Sequence, residues 1–96
     1  MNTLHDLKSN RASITALAHR FKAVNPRVFG SVASQTDGDK SDIDILVDPA
    51  PGATLFDLGA LQQELQQLLG RPVDLLTPND LPPKFKQSVL DTAVEI

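Results

Sequence analysis

The run Asp42-Ile43-Asp44-Ile45-Leu46-Val47-Asp48 restricts the folds open to this chain more than any other stretch. It is rich in β-branched residues and apolar beyond its two leading acids, so it reads as a strand buried on both faces. Successive strand side chains point to opposite faces, which sets Asp42 and Asp44 on one face and Ile43, Ile45 and Val47 on the other. Two residues of rise put the two acidic Cα atoms roughly 6.6 Å apart. Carboxylates that close repel: two unit charges about 4 Å apart cost about 4 kcal/mol at an effective dielectric of about 20. A hard, oxygen-seeking cation such as Mg²⁺ would remove that cost.

The rest of the chain supplies helices and two further strands. Leu4, Leu7, Ile14, Leu17, Ala18 and Phe21 recur at helical spacing and predict one helix over Thr3–Val24, with Thr3 as N-cap and Asp6 in the first turn. Asn25-Pro26 ends it, because proline cannot continue a helix. Arg27-Val28-Phe29 predicts a short buried strand closed by Gly30-Ser31, and Val32–Gln35 a single helical turn. Thr36–Ser41 is polar and reads as a surface loop, with Asp37 and Asp39 capping turns. Beyond Pro49-Ala50-Pro51-Gly52, the leucines at 55, 58, 61, 65, 68 and 69 predict an amphipathic helix. Thr54 is its N-cap, Asp57 follows three residues on, and Gly70 stands at C′. Gln62, Gln63, Glu64, Gln66 and Gln67 form its solvent face. Arg71–Leu76 predicts a third strand and Thr77–Asp80 a loop. Pro82 or Pro83 opens a last helix to about Thr92, with Phe85, Val89 and Leu90 inward, and Ala93–Ile96 ends as a turn or a short edge strand. This succession predicts an α/β (α+β) architecture, a small mixed sheet flanked by helices. It does not give the strand order.

Ninety-six residues predict a single domain over 1–96. The net charge of −3 and nine scattered Lys and Arg argue against a protein that binds nucleic acid directly. Cysteine is absent, so disulfides and thiolate metal sites are excluded. No apolar run approaches the length of a membrane span and the first ten residues lack an apolar signal core, so the default reading is cytoplasmic, with no membrane contact.

Asp74 is the third acid of interest. It interrupts the apolar run Val73-Asp74-Leu75-Leu76, where an unpaired carboxylate is costly to bury. If that strand lies beside the Asp42 strand, three carboxylates meet, and with the Gly30-Ser31 turn they suggest metal-assisted phosphoryl or nucleotidyl transfer. Gly30 lets a phosphate approach the backbone, and the Ser31 hydroxyl can donate to its oxygens. Taken singly, each feature also has an ordinary reading: a tight turn, a solvated loop end, an edge-strand residue facing water. Asp48 reads as a solvated strand terminus, and His5 and His19 as surface residues without metal-ligand spacing.

In combination these residues resemble a known family, the minimal nucleotidyltransferases of the DNA polymerase β-like superfamily. Its pattern is Gly-Ser, ten residues, then Asp-x-Asp; here Gly30-Ser31 is followed by ten residues, Val32 to Ser41, and then Asp42-Ile43-Asp44. Gly70-Arg71-Pro72-Val73-Asp74-Leu75-Leu76-Thr77-Pro78 is similar to the family's third-acid strand. The resemblance runs from about Val24 to the end of the chain and implies the nucleotidyltransferase fold. It implies that Asp42, Asp44 and Asp74 are the catalytic acids and hold two Mg²⁺ ions, and that Gly30 and Ser31 bind the triphosphate of ATP. It further implies transfer of AMP to a hydroxyl, a tyrosine, of a HEPN toxin partner. The chain would then be the antitoxin of a type VII-like toxin–antitoxin pair, in a hetero-oligomer with that partner. The family's Gly-Ser-x-Ala-Arg-Gly reads Gly30-Ser31-Val32-Ala33-Ser34-Gln35 here. Ser34 cannot replace a bidentate Arg–phosphate contact, a place that Lys40 in the loop could take. The alternative is therefore an antitoxin, weak or inactive in catalysis, that neutralises its partner by binding. A stand-alone enzyme acting on a small hydroxylated molecule fits less well, since no substrate domain is present.

Overall fold

Ile43, Ile45 and Val47 are fully buried on one face of their strand, and Leu46 is fully buried on the other. Each such side chain contributes about 1.5–3 kcal/mol of apolar burial. The structure, a computed structural model, describes residues 2–38 and 41–96. Its elements in order are α1 (Thr3–Ser9), α2 (Arg11–Arg20), β1 (Ala23–Phe29), α3 (Gly30–Ala33), β2 (Ile43–Pro49), α4 (Leu55–Leu69), β3 (Val73–Leu76), a 3-10 turn (Pro78–Asp80), α5 (Pro83–Thr92) and β4 (Val94–Glu95). They build a four-stranded mixed sheet of order β3-β2-β1-β4. β1 is antiparallel to both β2 and β4, and β3, reached through α4, runs parallel to β2. Val28, Ile43, Ile45, Val47 and Val73 pack with Leu7, Ile14, Ala18, Leu61 and Leu65 of the helices.

The ends of helix α4 form as its sequence predicts, though Leu55 of the expected apolar stripe is exposed. Thr54 and Asp57 make a reciprocal capping box, and Gly70 ends the helix in the left-handed region at φ 68°. The N-terminal segment differs from the single helix expected over Thr3–Val24: it breaks at Asn10 into α1 and α2. The Asn10 side chain donates to the Asp6 carbonyl at 2.9 Å, offering the backbone an alternative to helix continuation. The N-cap of α1 is Asn2 rather than Thr3, its Oδ1 accepting from the His5 N–H. Strand β1 also begins earlier than Arg27. Pro26 is tolerated because the ladder is irregular between Val24 and Arg27, where Asn25 takes φ 58°.

Individual side chains on two helices depart from expectation, though Gln63 and Gln67 are exposed and Val89 and Leu90 partly buried as expected. Gln62 and Gln66 do not face solvent; their Oε1 atoms accept the backbone N–H groups of Leu75 at 3.2 Å and Val73 at 3.0 Å. β3 is an edge strand, and two glutamines of α4 satisfy the donors that no further strand takes. On α5 no residue is fully buried, and Phe85, expected inward, is 55% exposed.

Candidate active site

Asp44 sits within β2, and Asp42 just before the strand begins. The parallel register sets Asp44 opposite Asp74 on β3 and the antiparallel register sets it opposite Phe29 on β1. The three acids named from the sequence therefore come to one end of the sheet, on the face away from the main helical core. Asp42 and Asp74 are exposed, and Asp44 is half-buried. Burial, with the charges of Asp74 and Asp42 beside it, holds the Asp44 carboxyl above its ordinary value.

Gly30 packs directly against this group. It has φ 67°, and a Cβ placed there would overlap Asp44 Oδ2 and lie 3.4 Å from Asp44 Cγ. The glycine thus answers two requirements, a left-handed backbone and an unobstructed carboxylate. Ser31 follows in α3, next to the same carboxylate's strand. A cleft of about 430 Å³ opens beside the turn, lined by Phe29, Gly30, Ala33 and Ser34 and, across from them, by Val89 and Thr92 of α5.

The positions where the chain departs from the family pattern have defined structural roles. The Ser34 hydroxyl lies within hydrogen-bond range of the Gly30 carbonyl (3.2 Å), the Ser31 carbonyl (3.3 Å) and the Thr36 hydroxyl (2.9 Å). It is committed to its own turn. Gln35 occupies the left-handed region at φ 59°, where the family places glycine. Lys40, the alternative phosphate contact, and Asp39 lie outside the described residues.

The donor set fits a hard cation. All three groups supply only carboxylate oxygens, and among the described residues the two ion pairs, Arg27–Asp48 and Arg71–Asp37, leave Asp42, Asp44 and Asp74 without a protein countercharge. As placed, no three His, Cys, Asp or Glu side chains among the described residues are already gathered around one point. Asp44 and Asp74 are in register across the parallel pair, and Asp42 stands one residue before the ladder.

Several side chains outside the acids do work that their types did not announce. Asp48, read as a solvated terminus, accepts from Arg27 Nη2 at 3.2 Å and from Asn25 Nδ2 at 3.2 Å, so the nearly buried Arg27 is neutralised at the far end of the sheet. Asp37 caps no turn. Its Oδ2 accepts from the Thr3 hydroxyl at 2.6 Å and faces the Arg71 guanidinium at 3.5 Å. The Thr3 hydrogen bond and the Arg71 charge hold its carboxyl below the ordinary value. His5 and His19 are exposed, as expected.

A parallel β2–β3 pair carrying one acid on each strand, beside a Gly-Ser turn, is the layout of the nucleotidyltransferase fold, and comparison with known proteins agrees. A profile described as "Polymerase beta, Nucleotidyltransferase" matches residues 13–96. A protein of Methanocaldococcus jannaschii named "putative protein adenylyltransferase" is 44% identical over 69 residues, covering 72% of this chain and 74% of that one. A solved structure described as a "putative minimal nucleotidyltransferase" superposes with a TM-score of 0.86 at 38% identity, over 97% of this chain and 95% of that one. Another, described as a toxin–antitoxin with AMP-PNP, gives a TM-score of 0.73 at 27% identity, over 90% of this chain and 71% of that one. The class is thus nucleotidyl-transferring enzymes. Within it, the chain belongs to the polymerase β nucleotidyltransferase family, and it is similar over almost its whole length to a minimal member.

Proposed function

We propose that the chain, acting as a single minimal nucleotidyltransferase domain over 1–96, transfers AMP from ATP to a tyrosine hydroxyl of a HEPN-type toxin in the cytoplasm. In this reading it is the antitoxin of a type VII-like pair and works in a hetero-oligomer with its partner. The observation that carries it is the register of Asp44 with Asp74 across parallel strands, with Gly30 pressed against Asp44. The similarity to a toxin–antitoxin with AMP-PNP supports both the nucleotide and the kind of partner.

Asp42, Asp44 and Asp74 would hold Mg²⁺, two ions in the family's arrangement. When bound, the metal supplies Lewis-acid stabilisation of the charge developing on the phosphate oxygens. Gly30 and Ser31 receive the triphosphate, Gly30 by leaving room and Ser31 by donating its hydroxyl. The cleft between α3 and α5 has room for the nucleoside. The acceptor oxygen bonds to the α-phosphorus, the bond to the bridging β-phosphate oxygen breaks, pyrophosphate leaves and the hydroxyl proton passes to solvent.

The test is label transfer from α-phosphate-labelled ATP, with Mg²⁺, to the partner toxin. Label on the toxin that is absent with Asp44→Asn is the expected result; label retained by that variant would overturn the role of Asp44. A second reading has its own observation. Ser34 stands where the family has arginine, and its hydroxyl is committed to the turn, so the phosphate grip is weaker. If no label transfers while a tight complex with the toxin forms, neutralisation by contact is the function.

A further inference from the structure

We infer that Arg71 is a positioning residue for the acidic site, holding Asp42 at its place beside Asp44 and Asp74. This rests on the metal-binding role proposed for the three acids. Arg71 lies in the link between α4 and β3, and its side chain is only 18% exposed. Its guanidinium is a hub. Nη1 donates to the Thr3 hydroxyl at 2.8 Å, and Nη2 donates to the Gly38 carbonyl at 3.2 Å and to the Ser41 carbonyl at 2.6 Å. Both nitrogens face Asp37 Oδ2 at 3.5 Å. Among the described residues Nε finds no partner although it is buried, so the planar fork is seated by its two outer nitrogens.

The consequence for Asp42 follows from which carbonyl is taken. Ser41 immediately precedes Asp42 and gives its carbonyl to Arg71. Ile43 immediately follows Asp42 and gives its N–H to the Pro72 carbonyl at 2.9 Å. Asp42 is therefore bracketed on both sides by hydrogen bonds to one dipeptide, Arg71-Pro72, and that dipeptide leads directly into the strand bearing Asp74. Asp44, inside the ladder of β2, needs no such help. Asp42 stands before the first residue of the strand and is fixed by Arg71 and Pro72 instead. Lysine at 71 would keep the charge but could not reach Ser41, Gly38 and Thr3 together, because an ammonium lacks the planar fork.

The experiment uses the whole chain, with Mn²⁺ as probe in place of Mg²⁺. Its binding to wild type, Arg71→Lys and Arg71→Met is measured by electron paramagnetic resonance, beside circular dichroism and melting of the metal-free proteins. Outer-shell groups that orient metal ligands typically change affinity about ten- to a hundredfold, and a loss of that size is expected in both variants. In the transfer assay the Mg²⁺ concentration for half-maximal rate should rise by a similar factor, while KM for ATP at saturating Mg²⁺ stays at the wild-type value. A purely structural role would lower melting without touching the metal dependence. A folded Arg71→Lys that binds Mn²⁺ as wild type does would overturn the inference and leave the proposed function standing. A wild type that binds no Mn²⁺ would overturn both. Should neither variant fold, Thr3→Ala, which removes one anchor and keeps the guanidinium, is measured in their place with the same two outcomes.

Discussion

Gly30 and Gly70 share nearly the same backbone, at φ 67° and 68°, but a Cβ at Gly30 meets Asp44 and one at Gly70 meets nothing within 4 Å. Alanine at either position pays for a left-handed backbone, about 1–2 kcal/mol, partly offset by the lower entropy of the unfolded alanine chain, about 0.4–1 kcal/mol. Those contributions cancel when the two variants are compared. What remains for Gly30→Ala is the displacement of the Asp44 carboxylate from its rotamer, about 0.5–1.5 kcal/mol. In a chain of this size that difference lowers Tm by about 4–8 °C per kcal/mol beyond the Gly70→Ala value. Thermal melts at neutral pH measure it, and the double variant Gly30→Ala/Asp44→Ala closes the cycle: with the carboxylate gone, the excess cost should vanish. Label transfer should be abolished in Gly30→Ala, where Asp44 is moved, and retained in Gly70→Ala. Equal destabilisation by the two alanines, or an excess that survives removal of Asp44, would refute the claim that Gly30 is kept for this contact.

Asp44→Asn should raise Tm at neutral pH while abolishing transfer. The folded-state carboxyl lies above the ordinary 3.8, so the folded chain binds that proton more tightly, and wild-type stability falls as pH rises from 3.8 through the raised value. Melting curves of the pair against pH should therefore converge below pH 3.8 and separate above it. Mg²⁺ should raise the wild-type Tm, by an amount equivalent to about 2.7 kcal/mol at a hundred times Kd, and should do so far less in Asp42→Asn. Gln35→Gly, relieving φ 59°, should stabilise by up to about 1 kcal/mol in chemical denaturation, and Ser34→Arg should lower KM for ATP in the transfer assay. Gln62→Ala and Gln66→Ala should each cost about 1 kcal/mol, and together they should make the chain prone to concentration-dependent self-association, read by sedimentation.

The features legible in the sequence were those whose physics is local. Thr54, Asp57 and Gly70 mark the ends of α4 without reference to anything distant, and the alternation in Asp42–Asp48 assigns both faces of β2. The register of Asp74 was conditional on strand order, which no local signal carries. The features missed were long-range or depended on one side chain's competing bond. Asn10 breaks the first helix by bonding to Asp6, a choice that helical periodicity does not register. Gln62 and Gln66 look like a wet face until β3 is known to be the strand beside α4. Arg71 looks like the first residue of a strand, and its partners come from two distant stretches, Thr3 at the chain's start and Asp37 and Ser41 in the loop before β2. Phe85 has helical spacing, yet α5 buries no residue fully among the described residues and leaves it exposed.

The β2–α4–β3 crossover has a consequence for how the chain acquires its activity. Asp42 and Asp44 arrive with β2, but Asp74 arrives only when α4 has crossed and β3 has docked in parallel register. Docking β3 brings like charges together, so this step works against electrostatics until a cation is present. A nascent chain that has made β2 and α4 has most of its apolar core and two of its acids, yet no complete site. Completion of the proposed three-acid site is thus tied to the β2–β3 pairing, and divalent metal, if held there as proposed, should show itself as a slower loss of β3 on unfolding as well as in turnover.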